Sequence, residues 1–249
     1  MSQENKNLIT NYSSAKYSWL KSGGKISHLY KIYRQNDLID LFDESNTREK
    51  SFLVIGNLSN TLIKDEGFNG IAIKLSGDFT NIQIKKEYML VGAAVLDSYL
   101  SRFCYQNAIS GYEFLYTIPG SIGGNIFMNA GCYNQEIKDK LISVIFFDIE
   151  HKKIIEKKIN ELNFDYRQGF QKKNTIILYG KFKITQSEEK FDPDDEDAQY
   201  ELRKQAGVTL AAWLNRYRGS AENIGLDLTS VEYIVRVLRD DRDEKLEAG

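Results

Sequence analysis

Three short stretches hold residues whose types and spacing can do chemistry. The longest, residues 111–133, reads GYEFLYTIPGSIGGNIFMNAGCY. It gathers Gly111, Gly120, Gly123, Gly124 and Gly131 around Pro119, one of only two prolines in the chain. Glycine reaches φ > 0 and has no Cβ, so such a segment turns tightly and lets backbone N–H groups approach a ligand. Between the glycines stand Phe114, Leu115, Ile118, Ile122, Ile126, Phe127 and Met128. Those apolar residues point to a packed turn, because a solvated linker carries Ser, Lys and Glu. A nearly charge-free, buried glycine turn suits a phosphate or diphosphate held by backbone donors; a purely structural turn is the alternative. The second stretch, GNLSNT at 56–61, follows an apolar strand. Its Ser59, Asn60 and Thr61 offer hydroxyl, amide and backbone donors to phosphate oxygens, or ordinary turn bonding. The third is Tyr166-Arg167. A guanidinium beside an aromatic ring grips a carboxylate or phosphate through two parallel bonds, or is simply a surface arginine.

Other chemistries find little support. Cys104 and Cys132 have no CxxC spacing, and His28 and His151 sit in unrelated contexts. No metal site or Cys/His nucleophile is therefore expected, and both thiols read as reduced and packed in a cytosolic protein. The net charge of −2 argues against a general nucleic-acid binder, which would show a basic stripe. No apolar run approaches the ~18 residues of a membrane helix, and the start, MSQENKNLIT, lacks the pattern of a signal peptide. A cytoplasmic protein without membrane or nucleic-acid partners is the expectation.

The elements that must position these stretches follow from the hydrophobic pattern. Residues 1–25 are polar until Tyr17-Ser18-Trp19-Leu20-Lys21-Ser22-Gly23-Gly24, where an apolar pair leads into a double glycine. Strands are expected over 26–33, 51–55, 70–75, 81–84 and 88–94, with a short helix over 37–44 capped by Asn36. Leu96, Tyr99, Leu100, Phe103 and Cys104 recur at helical spacing, predicting a helix with those residues on its buried face. Strands follow at 143–149, 152–158 and 175–184. Many short strands with few helices give an α+β protein. It is not doubly wound, since no G-x-G-x-x-G joins a strand to a helix with an acid ~20 residues on.

Composition changes after Lys190. The net charge is +4 up to that residue and −6 beyond it. The seam, Asp192-Pro193-Asp194-Asp195-Glu196-Asp197, has the signature of an acidic linker. Leu210, Trp213, Leu214 and Tyr217 then form one apolar stripe, and Val231, Ile234, Val235 and Leu238 another. Thr229 and Glu232 make a capping box. The expected organisation is a body to residue 186, an acidic linker over 187–198 and a helical tail over 199–249.

Taken in order, Trp19-Leu20-Lys21-Ser22-Gly23-Gly24, then GNLSNTLIKDEGFNGIAIKL at 56–75, the glycine stretch and Phe164-Asp165-Tyr166-Arg167 closely resemble the UDP-N-acetylmuramate dehydrogenase family. These flavoenzymes are also called UDP-N-acetylenolpyruvoylglucosamine reductases. The resemblance covers about residues 15–186. It implies an FAD-binding fold of the vanillyl-alcohol-oxidase type, with α+β subdomains over 1–77 and 78–186 clasping FAD. The turn with Gly56, Asn57, Ser59, Asn60 and Thr61 would hold the cofactor diphosphate through backbone amides, together with the loop of Ile118, Pro119, Gly120, Ser121, Gly123 and Gly124. Asn129 and Gly131 would line the cofactor pocket. In the family, NADPH reduces the flavin, which passes hydride to the enolpyruvyl double bond of a UDP-sugar in peptidoglycan precursor synthesis. Arg167 falls on the family arginine that binds and polarises the substrate carboxylate, with Tyr166 beside it on the substrate side.

The sequence departs from the family in two places. The first turn is normally Gly-x-Gly-Ser-Asn, and here Leu58 replaces the second glycine. If that position needs φ > 0, leucine costs ~1–2 kcal/mol. Family members also continue into a third domain that supplies a proton-donating serine and a glutamate. Neither motif is found after Lys190, where Ser220, Glu222, Ser230, Glu232 and Glu247 lie in non-matching surroundings. The reading is thus an FAD-dependent, NADPH-using reductase, either complete or truncated and impaired. The alternatives are a non-catalytic flavin-binding domain whose tail contacts a protein partner, and another oxidoreductase of the same fold.

Overall fold

The computed structural model describes residues 7–18, 21–43, 51–186, 192 and 195. The helical tail with its two stripes and capping box, most of the acidic linker, and Trp19-Leu20 of the first motif lie outside the described residues.

The chain opens with β1 (Leu8–Ser13) and a single helical turn, α1 (Ser14–Tyr17). Sequence reading passes over this strand because Tyr12 is its one fully buried side chain and Asn11, at φ 53°, interrupts its alternation. Strand β2 (Lys25–Ile32) pairs antiparallel with β1. Helix α2 (Gln35–Asp43) then buries Leu38, Leu41 and Phe42. Its start is fixed by Asp37, whose carboxylate accepts the N–H groups of Tyr33 at 2.9 Å and Arg34 at 3.0 Å, and not by Asn36. The chain continues into β3 (Phe52–Val54) and, past the 56–61 turn, β4 (Phe68–Leu75). Both β2 and β3 run parallel to β4, in the order β1-β2-β4-β3. Strand β4 reads as a continuous apolar run because both of its faces are covered. Ile71, Ile73 and Leu75 belong to the main core, and Ala72 joins a smaller cluster with Tyr12, Ile26, Leu29, Ile55, Leu58 and Ile63.

A five-stranded antiparallel sheet follows, made of β5 (Ile82–Ile84), β6 (Tyr88–Gly92), β9 (Leu141–Asp148), β10 (Lys153–Lys158) and β11 (Thr175–Lys183), in the order β10-β9-β11-β6-β5. Its lysine-rich strand β10 lies at the edge, where charge discourages pairing with another chain. Between β6 and β9 the chain forms α3 (Asp97–Gln106), α4 (Ile122–Met128), the small ribbon of β7 (Gly131–Cys132) with β8 (Gln135–Glu136), and α5 (Ile137–Lys140). One apolar core joins the two large sheets, with Ile32 and Ile73 from the first, Leu38 from α2, and Met89, Val144, Phe146 and Phe182 from the second.

Helix α3 forms where the spacing predicts it but turns a different face inward. Asp97, Leu100, Ser101 and Cys104 are buried, whereas Leu96 and Tyr99 are 45% and 55% exposed. The glycine stretch also departs from a simple turn, since Gly123 and Gly124 lie inside α4. Among its glycines only Gly111 has positive φ. Gly120, Gly123 and Gly131 are present for close approach, whereas Gly124 has room for a side chain.

Candidate functional site

The sequence-selected residues gather at the two ends of α4. At its start, residues 118–121 lie against the 56–61 turn. A Cβ built on Gly56 would come within 2.7 Å of Ser121 Oγ, and one on Gly120 within 3.6 Å of Ser59 Oγ and 2.8 Å of Asp97 Oδ2. The absence of side chains at these two positions lets the turns close on each other. Leu58 anchors the 56–61 turn: it is buried in the smaller cluster while its backbone sits at φ 53°. Leucine thus occupies a left-handed conformation that favours glycine.

The backbone donors can be counted. Among the described residues, no N–H from 56 to 61 donates to a protein acceptor; the strand ladder ends with Ile55 N–H on the Ile73 carbonyl at 2.9 Å. On the facing loop, Ile122 N–H is taken by the Val95 carbonyl at 2.9 Å and Gly123 N–H by Ala93 at 2.8 Å. Gly123 is therefore structural despite its place in the motif. Ile118 N–H likewise closes a local turn on Leu115 at 3.1 Å. Ser121 opposes Leu96 in a one-pair bridge whose ladder bonds come from the neighbours on each side, which leaves the Ser121 N–H outside it. Pro119 has no N–H to give. Asn57 and Asn60 are exposed, Ser59 and Thr61 half-buried, and Gly124 is exposed with only Ser121 Oγ near its missing Cβ. A row of unused amides facing a glycine-lined wall, with few charged groups, is a site for an anionic ligand contacted through the main chain.

At the other end of α4, Asn129 closes the helix in the left-handed conformation, φ 45° and ψ 53°. It is fully buried. Its amide donates to the Asp165 carbonyl at 2.8 Å and accepts the Lys138 N–H at 3.3 Å. Asn129 thus ties the helix end to the hairpin carrying Tyr166 and Arg167. The same hairpin docks on α4 through Gly169 N–H to the Phe127 carbonyl, 3.2 Å, and Phe170 N–H to Ile126, 3.0 Å. Gly169 was not singled out from the sequence; a Cβ there would collide with the Ile126 carbonyl. Residues 165–168 form a tight turn in which Gln168 N–H reaches the Asp165 carbonyl at 3.0 Å and Arg167 takes φ 56° at its third position. That conformation throws the guanidinium back over the Tyr166 ring, 5.2 Å from its centroid, and onto the Gly131 carbonyl, 2.9 Å from Nη2. Both side chains remain exposed. With one of five N–H donors anchored, the guanidinium keeps a fork for a carboxylate.

Asp97 is the residue that sequence reading missed. The helical pattern gives weight to apolar side chains, so an aspartate at the first position of α3 reads as solvent-facing. It is instead fully buried behind Gly120. Burial pushes its carboxyl well above the ordinary carboxylate range, and the nearby Asn125 amide, outside hydrogen-bond geometry, only partly opposes the rise. Neither Asp97 oxygen, nor Asn125 Nδ2, has a hydrogen-bond partner. Elsewhere, burial holds the Cys104 thiol far above its usual range, with Glu113 adding to the effect, as suits a packed, unreactive cysteine. Both cysteines are free, and no cluster of His, Cys, Asp and Glu able to hold a metal ion occurs among the described residues.

Comparison with known proteins agrees with this geometry. Residues 30–149 match the family model described as an FAD binding domain. The chain is 35% identical to a UDP-N-acetylenolpyruvoylglucosamine reductase of Rickettsia felis over 71% of its length and 59% of the relative's. It is 37% identical to that of Pelagibacter ubique over 78% and 63%. The chain therefore spans about three fifths of the curated relatives it matches. The crystal structure of UDP-N-acetylenolpyruvylglucosamine reductase from Thermus caldophilus superposes with a TM-score of 0.63 at 26% identity, covering 83% of this chain and 69% of that one.

Proposed function

Because the chain belongs, over about three quarters of its length, to the UDP-N-acetylenolpyruvoylglucosamine reductase family and has its α+β, vanillyl-alcohol-oxidase type of FAD-binding fold, we propose that it works as the flavin half of such a reductase. It is an FAD-dependent oxidoreductase of this type, and FAD is its cofactor. The substrate we assign is the enolpyruvyl UDP-sugar, the reductant NADPH and the setting peptidoglycan precursor synthesis in the cytoplasm.

The residues present fit the cofactor. Unused amides between 56 and 61 and the Ser121 N–H, brought together because Gly56 and Gly120 let the two turns close on each other, would hold a diphosphate. When bound, the flavin supplies the hydride chemistry. The chain's own part is to hold and polarise. Arg167, anchored on the Gly131 carbonyl, orients the substrate carboxylate and stabilises the negative charge that develops next to it in the transition state. The seven residues of α4 span about 10 Å at 1.5 Å per residue. They set the amide cradle at one end of α4 and the hairpin carrying Arg167 at the other. No helix among the described residues is long and apolar enough to cross a membrane.

The observation that carries the reading is this pairing of an amide cradle with a carboxylate-binding arginine on one short helix. The test mixes flavin-loaded protein with NADPH and the enolpyruvyl UDP-sugar and follows NADPH loss. Substrate-dependent oxidation is expected, and Arg167→Ala lowers kcat/KM by about 10²-fold or more with the flavin spectrum unchanged. Arg167→Lys recovers little, because a point charge lacks the fork. Flavin-loaded protein without turnover would favour a non-catalytic flavin-binding domain.

A further inference from the structure

The three buried polar atoms left without partners, Asp97 Oδ1 and Oδ2 and Asn125 Nδ2, are not scattered. Asp97 opens α3 and Asn125 lies in the first turn of α4, and both border the bare face of Gly120, which also meets Ser59 of the 56–61 turn. Buried polar groups are almost always hydrogen-bonded, and a cluster of exceptions calls for a reason. Fold stability supplies none for the carboxyl group, since an apolar side chain in place of Asp97 would remove two of the three unpartnered atoms. The cluster is explained if it serves a ligand held between residues 56–61 and 118–121, since Asp97 Oδ2 and Ser59 Oγ border the same bare face of Gly120.

Resting on the cofactor reading above, we propose that Asp97 is a positioning residue for the flavin diphosphate, a neutral acid under the cradle that must keep its proton for the cofactor to seat. A carboxylate there, buried on the Gly120 face that also meets Ser59, would repel a diphosphate held by the 56–61 turn, in surroundings with little water to screen the repulsion. Among the described residues no charged group acts on it. On α3 the charged side chain beyond Asp97 is Arg102, which is exposed and engages Tyr116. Residues 118–121, α4 and the 56–61 turn carry no charged side chain. The burial that raises its pKa keeps Asp97 protonated in the absence of such a partner. As an acid it also has an O–H to give, which a carboxylate lacks.

The sign of the linkage follows. A diphosphate favours the protonated form, so the pKa of Asp97 is higher in the loaded protein than in the free one. Between those two values FAD affinity falls as pH rises, by up to tenfold per unit for one proton; outside them it is flat.

The test measures FAD dissociation constants for the full chain between pH 5.5 and 9.5 by quenching of flavin fluorescence. The wild type is expected to lose affinity with a one-proton slope toward alkaline pH. Asp97→Asn, a neutral near-isostere, should bind within about threefold of wild type at pH 5.5 and lose the slope. Infrared difference spectra of loaded minus free wild-type protein provide a second reading that does not depend on the variant's folding. Taken at a pH on the sloping part of the profile, where the free protein is ionised and the loaded one is not, they should show a gained C=O stretch of a protonated carboxylic acid. A flat wild-type profile, a slope retained in Asp97→Asn, or the absence of that band in the loaded protein overturns the assignment. Failure to bind FAD at any pH overturns the cofactor reading itself, which separates the two claims.

Discussion

At the scale of single residues, the site depends on three side chains in positions that generic rules would not choose for them. Leu58 stands at φ 53°, where leucine costs about 1–2 kcal/mol of backbone strain. Its buried side chain contributes more, since emptying a buried leucine site costs about 2–5 kcal/mol. Packing therefore wins. Leu58→Gly, which restores the family's usual residue, is expected to lower unfolding stability by about 1–3 kcal/mol, measured by urea denaturation; a gain would mean that strain dominates. The need for a left-handed backbone at this position is legible from the family pattern. The compensation is not, because nothing local in GNLSNT says that the leucine reaches a cluster built from β1, β2 and β4. Asp97 shows the opposite limit, where the residue type conceals its burial. Arg167 lies between the two. Its chemistry is readable from Phe-Asp-Tyr-Arg, while its aim depends on a turn geometry set by Asn129 and Gly131.

At the scale of elements, α4 is the spacer that turns two motifs into one site. The sequence shows its glycines, and those suggest a loop. The helix is seated because Gly123 packs on Ala93 with its N–H satisfied there, while Gly120 makes room for Asp97 and Ser59 and the Ser121 N–H is left unused. The far end of the helix matters as much. The resemblance puts Asn129 in the cofactor pocket; the geometry gives its amide to Asp165 and Lys138, which makes it a brace for the arginine hairpin. Removing it leaves the Asp165 carbonyl and Lys138 N–H unpaired, at about 1–3 kcal/mol for a buried group. Asn129→Ala is thus expected to reduce stability by about that amount and to depress turnover through a mispositioned Arg167. FAD affinity should stay within a few-fold of wild type, as read by titration of the flavin. Equal losses in affinity and turnover would return Asn129 to the cofactor side.

At the scale of the whole molecule, two sheets of different character share one core, and their junction carries the site. One is mixed and ends in the 56–61 turn; the other is antiparallel and supplies the frame for α4 and the arginine hairpin. The strands of both were largely legible, since apolar runs punctuated by glycine and asparagine mark them. Their pairing was not, because register and the contact between turns are set by residues far apart in the chain. The central claim is that these turns meet to hold one FAD. Its most direct measurement is the stoichiometry and affinity of FAD in equilibrium dialysis, for the wild type and for Gly56→Val, which places a branched side chain against Ser121 at an exposed position. The account predicts one FAD per wild-type chain and a loss of affinity of at least tenfold in the variant, with its thermal melting preserved. Equal FAD binding by the two proteins, or none by the wild type, would contradict it.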